Sequence, residues 1–369
     1  MILQTLLIVA ALLILISLPL HNFYFSIICR RKGPLPQKVR PSQWPCVTCV
    51  IPASNEESII RRKIENLRET YPSDLLSILV VINNSTDATQ TICRGMGIAT
   101  IGSAAGKQHA LEAGRRAAKT ELVLATDADV YLQPDTLKTL VTTIVNAPPD
   151  VCLISAFCAH SFPHNGKFSQ QLNRYELKLG ELSVLQSKKA SAALIPGTCY
   201  LYKKGIFPEY PPDAVEDEIS IAIEIIRHNY RAYTELEAFC YQYQPQEFWL
   251  QIAMLTRHAG RQIHTCLSNL DIIWRLKNRL FGLFIFPLFL FLPRCLPLVS
   301  ILFLLLPLIT PVRAIPLYSA GLLVYLLIAI FRPLAALQTA AIHFGWIYYF
   351  MLGKKGSAWH NLHREKELR

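Results

Sequence analysis

The sequence lacks the cysteine spacing of a stapled or zinc-bound domain. Ten cysteines are scattered through 369 residues, and Cys46 and Cys49 are the only close pair. No second pair follows at zinc spacing, and no redox signature surrounds the first. The cysteines therefore read as reduced, mostly buried thiols of a cytosolic compartment. Charge is also thin, at 17% of residues, and residues 2–20 carry none. The charge that exists is basic, 37 Lys and Arg against 26 Asp and Glu. No groove-reading motif or basic-aromatic array accompanies it, which excludes nucleic acid as the expected partner. The apolar blocks after residue 280 contain no acid, which argues against a transporter built around intramembrane carboxylates.

What is present is apolar: 52% of the chain is hydrophobic, concentrated in residues 1–28 and after about residue 280. An uncharged helix over 2–20 would span about 28 Å, close to the hydrocarbon thickness. No charged segment precedes it, so a retained anchor is expected rather than a cleaved signal. Arg30-Arg31-Lys32 follows, and by the positive-inside rule the next segment is cytoplasmic. The expected order is an N-terminal transmembrane anchor (1–28), a basic Pro-rich linker (29–45) and a cytoplasmic globular domain (46–246). Amphipathic interfacial helices (247–280), C-terminal transmembrane helices (281–353) and a basic cytoplasmic tail (354–369) complete it. A cytoplasmic tail after a cytoplasmic domain requires two or four crossings in the C-terminal block.

The middle of the chain alternates strand and helix, which predicts βαβ units and a mostly parallel, Rossmann-like α/β sheet. Leu122-Val-Leu-Ala-Thr126 reads as a buried strand running into Asp127 and Asp129. Two carboxylates at a strand's carboxyl end lie where α/β sheets open their ligand crevice. Their oxygens suit Mg2+ or Mn2+, which bind through one or two carboxylates plus substrate phosphates. Asp is also common in turns, so the motif alone does not decide. Ser54 or Asn55 is expected to cap a helix running to about Arg68. Pro196-Gly197-Thr198 reads as a strand-turn where a ligand can approach closely. Glu216, Asp217 and Glu218 are adjacent, and crowded carboxylates raise one another's pKa, which favours a base near neutrality.

In this order the motifs resemble the membrane-anchored family 2 glycosyltransferases, the group of cellulose, chitin and hyaluronan synthases and ceramide glucosyltransferase. Val50-Ile-Pro-Ala-Ser-Asn-Glu-Glu57 is similar to the family's opening strand, and Val80-Val-Ile-Asn-Asn-Ser-Thr-Asp87 to the strand-turn that holds base and ribose. The family usually has Asp near position 82 or 83, where this chain has Ile82 and Asn83. Gly106-Lys107, Ala110-Leu111 and Gly114 resemble the segment leading to the aspartates. Glu216-Asp217 resembles the family's acidic pair, and Arg257-His258 is a partial counterpart of its Gln-x-x-Arg-Trp motif, with His258 in place of Trp.

The resemblance implies a GT-A fold and an inverting transfer from a nucleotide diphosphate sugar, with a UDP-sugar expected. It implies Asp217, Glu216 and Arg257 as catalytic residues and Asp129 with Asp127 as metal ligands. Pro52, Ala53, Glu56, Asn83, Lys107, Asp127, Gly197, Thr198 and His258 are the implied substrate contacts. The acceptor should be membrane-associated: a lipid receiving one sugar, or a growing polysaccharide, which the replaced Trp disfavours. A catalytically inactive scaffold or transporter is the competing class, and a nucleotidyltransferase also uses Asp-x-Asp with metal.

Overall fold

The computed structural model describes residues 38–161, 167–212, 214, 216–243, 248–275, 280–291, 294 and 344. The predicted anchor, the apolar blocks beyond residue 294 apart from residue 344, and the basic tail lie outside these residues. Among the described residues no helix is long and apolar enough to cross a membrane. The chain divides into two compact units, with the break between Gln246 and Glu247.

The first unit is built on one eight-stranded sheet in the order β3-β2-β1-β4-β7-β6-β8-β5. The strands are β1 (Val47–Ala53), β2 (Leu76–Ile82), β3 (Ala99–Gly102), β4 (Leu122–Thr126), β5 (Val130–Leu132), β6 (Val151–Ser161), β7 (Cys199–Lys203) and β8 (Arg231–Tyr243). β3, β2, β1 and β4 pair in parallel, as do β6 and β8. β7 runs antiparallel to both β4 and β6, and β5 antiparallel to β8. The sheet is therefore more mixed than the βαβ alternation predicts. β7 pairs antiparallel with β6 although the long helix Lys167–Lys189 lies between them in the chain, so the connecting helix here does not make a parallel crossover.

Side chains alternate across this sheet as the pleat requires. Val47, Cys49 and Ile51 of β1, with Leu122 and Leu124 of β4, join one core cluster. Val50, Val123 and Ala125 join the other. The first cluster is covered by α1 (Ile60–Arg68) through Ile60, Ile64 and Leu67, and by α4 (Thr136–Asn146) through Leu137 and Leu140. The second is covered by α3 (Lys107–Ala117) through Ala110 and Leu111, and by α6 (Glu218–Arg227) through Ile221 and Ile225. Between them lie α2 (Thr89–Gly95) and α5 (Lys167–Lys189). α3 approaches β1 so closely that a Cβ on Gly114 would stand 2.2 Å from a Val50 methyl.

One local expectation is corrected. Neither Ser54 nor Asn55 caps α1, which starts at Ile60 with no side-chain cap. Asn55 instead sits in the left-handed region at φ 56, and its Oδ1 accepts from the Thr86 N–H at 2.8 Å. Glu57 accepts from the Ala88 N–H at 2.8 Å and its own N–H donates to Asp87 at 2.9 Å. The polar run after β1 is spent on stitching that loop to the loop after β2, and the helix begins only when apolar periodicity resumes.

In the second unit, α7 (Phe248–Ser268) is followed by a 3₁₀ turn (Leu270–Trp274) and a π-helical segment (Phe281–Phe291). α7 ends just before Asn269, whose Nδ2 donates to the Thr265 carbonyl at 2.7 Å and occupies an acceptor of the last turn. The Arg294 guanidinium is buried, donating to Gln262 Oε1 at 2.8 and 3.0 Å and to the Leu290 carbonyl at 2.9 Å. Trp274, Leu283 and Phe284 are exposed, Trp274 by 79%.

Candidate active site

β4 ends at Thr126, and the chain turns through Asp127-Ala128-Asp129 into β5. The turn is fastened to the start of β7 by the Asp127 N–H, which donates to the Thr198 carbonyl at 3.0 Å. Lys107, the first residue of α3, reaches into the same place. Its Nζ is 2.8 Å from Asp127 Oδ1 and 2.6 Å from Asp217 Oδ2. Two carboxylates contributed by distant segments thus share one ammonium group. Asp129 is buried beside them, and its Oδ2 accepts from Gln242 Nε2 of β8 at 3.1 Å.

The electrostatics follow from crowding. Burial pushes the Asp127 carboxyl up to about 6, with Asp129 and Asp217 adding to the shift and Lys107 opposing it. Burial pulls the Lys107 ammonium down, but Asp127 and Asp217 outweigh it and hold its pKa well above the usual lysine value.

Gly197 closes the site on the Asp217 side. A Cβ there would stand 2.5 Å from Asp217 Oδ2 and 2.8 Å from its Cγ, so the backbone approaches this carboxylate as only glycine permits. Next to it, the buried Thr198 hydroxyl has no hydrogen-bond partner among the described residues. The two expected catalytic acids part company. Glu216 is buried with its carboxylate turned to the start of α6, accepting from the Glu218 and Ile219 N–H groups at 2.8 Å each. It holds the helix N-terminus, while Asp217 faces Lys107.

The expected nucleotide contacts lie at the carboxyl ends of β1 and β2. Pro52 and Ala53 are buried at the end of β1, and Glu56 is buried in the loop beyond. Asn83 is fully engaged by its own surroundings. Its Nδ2 donates to Ser103 Oγ at 2.8 Å and to the carbonyls of Ala104 and Gly106 at 2.5 and 3.2 Å. Its Oδ1 accepts from the Gly106 N–H at 3.1 Å. Asn83 therefore sets the shape of the 103–106 loop. A cleft of about 330 Å³ borders this loop, lined by Ser103, Gln108, His109, Glu112 and Tyr210, with none of the three aspartates in its lining. Arg257 and His258 lie on α7 in the second unit, both half-buried.

Residues 48–210 match the family model described as glycosyl transferase family 2. This segment is a glycosyltransferase family 2 domain. The chain is accordingly a glycosyltransferase of the nucleotide-sugar type. Among solved structures, a mannosyltransferase from Pyrobaculum calidifontis in complex with GDP-Man and Mn2+ is 23% identical. The match covers 94% of this chain and 99% of that one, with a TM-score of 0.72. Glucosyl-3-phosphoglycerate synthase from Mycobacterium tuberculosis, in complex with Mn2+, UDP and glucosyl-3-phosphoglycerate, is 16% identical. There the coverage is 62% of this chain and 87% of that one, with a TM-score of 0.41. The first likeness supports the GT-A-like α/β fold.

The donor set of the family 2 domain fits a divalent cation of a particular kind. No three His, Cys, Asp or Glu side chains converge as a metal cage among the described residues. Asp127 and Asp129 offer two hard carboxylates, and Mg2+ commonly binds through one or two carboxylates with phosphate oxygens and water completing its shell. The unpartnered Thr198 hydroxyl adds a polar atom at the same place.

Sequence reasoning missed two residues of this site. Gln242 left no signal, because a glutamine late in a strand has no distinctive spacing. Lys63 did leave one: it falls on the same helical stripe as Ile60, Ile64 and Leu67, where a lysine is out of place.

Proposed function

We propose that this protein moves a sugar, with inversion, from a nucleotide diphosphate sugar to an acceptor hydroxyl at the cytoplasmic face of a membrane, and that the acceptor is a lipid receiving a single sugar. The observation that carries the transfer chemistry is the Lys107 ammonium held between Asp127 and Asp217. It puts a phosphate-binding cation, a strand-end metal ligand and a candidate base within one substrate's reach.

In this reading Asp127 and Asp129 hold Mg2+ or Mn2+, which neutralises charge growing on the leaving diphosphate. Lys107 contacts the phosphates as a point charge. Asp217 takes the proton of the acceptor hydroxyl as it attacks, a role that typically contributes about 10²–10⁴-fold to the rate. Gly197 lets the backbone lie against the Asp217 carboxylate and so fixes its place, and Pro52, Ala53 and Glu56 border the nucleotide. A UDP-sugar is the expected donor. GDP-sugars belong in the same screen, because the similar mannosyltransferase is bound to GDP-Man and position 83 here carries no acid.

The membrane assignment is supported by the uncharged run 2–20 and by the exposed Trp274, Leu283 and Phe284 of the second unit. Aromatic and aliphatic side chains exposed together suit a headgroup interface.

The test is incubation of the full-length chain with UDP- and GDP-sugars, Mn2+ and membrane lipids. Release of nucleoside diphosphate with one added sugar per lipid is expected. A ladder of products would replace the lipid acceptor by a growing glycan. Release of pyrophosphate would make the chain a nucleotidyltransferase, and no turnover of any donor would favour the inactive scaffold.

A further inference from the structure

Lys63 is fully buried in the middle of α1, on the face that Ile60, Ile64 and Leu67 present to the sheet. An ammonium group in such a place is costly unless it is held by acceptors. Lys63 makes no ion pair among the described residues. Its Nζ instead donates to Thr126 Oγ1 at 2.9 Å and to the Val130 carbonyl. Those two acceptors are the residues immediately before and after Asp127-Ala128-Asp129. The remaining groups that shape its electrostatics are the thiols of Cys49, Cys199 and Cys240 and, through space, Asp127. A methionine would fill the same volume without the cost of a buried charge, so packing alone does not account for a lysine.

We propose that Lys63 is a positioning residue that clamps the two ends of the Asp127-Ala128-Asp129 turn from inside the core, fixing the spacing of its carboxylates for a divalent cation. The inference rests on the reading that these aspartates hold such a cation with a nucleoside diphosphate. Thr126 is the second half of the clamp. Its hydroxyl accepts a hydrogen bond from Lys63 Nζ at the end of β4, and the Val130 carbonyl accepts another at the start of β5. The turn between them carries two like charges side by side, and the Lys63 hydrogen bonds hold both of its ends in place against that repulsion. Support of this kind, one shell behind the ligands, typically governs about 10–100-fold in metal affinity.

The experiment measures Mn2+ affinity by the electron paramagnetic resonance of free Mn2+. It uses the full-length chain with saturating UDP or GDP, whichever the wild-type protein binds more tightly. Lys63→Met is expected to weaken Mn2+ binding by about 10–100-fold, with metal-free nucleotide affinity unchanged and thermal stability equal or higher. A merely structural lysine would lower thermal stability and weaken both affinities together. Thr126→Val is expected to weaken Mn2+ binding in the same direction and Thr126→Ser to restore it, and this pair decides the matter if Lys63→Met does not fold. Wild-type Mn2+ affinity in Lys63→Met, or in Thr126→Val, overturns the clamp. Absence of Mn2+ binding by the wild-type protein with either nucleotide would remove the metal reading itself, a result distinct from the first.

Discussion

The Nζ of Lys107 stands 2.6 Å from a carboxylate oxygen of Asp217, and the same nitrogen is 2.8 Å from Asp127. One cation joins the segment that precedes α6 to the turn that follows β4. Lys107→Met removes a cation that Asp127 and Asp217 share and leaves two like charges facing each other. Donor KM is expected to rise and turnover to fall. The loss of stability should stay below the about 3–5 kcal/mol of a fully buried pair, since both side chains are about one-fifth exposed (21% and 19%). Steady-state kinetics with urea denaturation check both parts, and unchanged donor KM would contradict the phosphate role.

Asp217 and its neighbour Glu216 should separate cleanly in mutagenesis. Asp217→Asn is expected to keep nucleotide binding and to lose about 10²–10⁴-fold in turnover. Glu216→Ala removes the acceptor for two N–H groups of α6 and should cost about 0.5–2 kcal/mol of stability. Its rate loss is expected to be smaller and to follow from displacement of Asp217. Equal rate losses without any change in stability would return Glu216 to the catalytic role that the resemblance implies for it.

Metal affinity should depend on pH through Asp127, whose carboxyl sits at about 6 when folded. The unfolded value is about 3.9. Between the two, the folded protein holds a proton that the unfolded chain has released, so this group's contribution to stability falls as pH rises through that window. A metal ligand must be deprotonated. Mn2+ affinity is therefore expected to rise between pH 5 and 7, by about tenfold for a single group titrating near 6, and then to level. Affinity that is flat across this range would rule out Asp127 as the titrating ligand.

Gly114 is expected to be intolerant for reasons unrelated to chemistry. A Cβ at 2.2 Å from Val50 Cγ1 has nowhere to go, because Val50 is in the buried core of β1. Gly114→Ala should destabilise by about 1–3 kcal/mol, the usual cost of overpacking, despite the better helix propensity of alanine. Chemical denaturation measures it, and a stabilised variant would show that α3 can move off the sheet.

The parts of this molecule legible in the sequence are those governed by period and by strand ends. The β4 run into Asp127 and Asp129, the helix carrying Lys107 and Gly114, and the β2 strand over 76–82 all follow from hydrophobic spacing and turn residues. The antiparallel insertion of β7 between β4 and β6 does not, since partner choice depends on contacts far away in sequence. The shared ammonium of Lys107 was equally hidden, although each of its three members was singled out. Glu216 and Asp217 could not be told apart in the sequence, because an acid at a helix start and an acid awaiting a substrate have the same local signature. Lys63 broke the apolar stripe of α1, a violation of pattern that marks a functional site more often than a packing error.

The amide of Asn83, saturated by its own loop, leaves a nucleobase arriving there to meet contour rather than charge. Discrimination by contour grades ligands by how well they nest, so on the proposed reading donor preference is expected to respond to residues 103–105. Libraries confined to those three positions are then the natural route to retuning which sugar nucleotide the enzyme accepts, with the strand scaffold left intact.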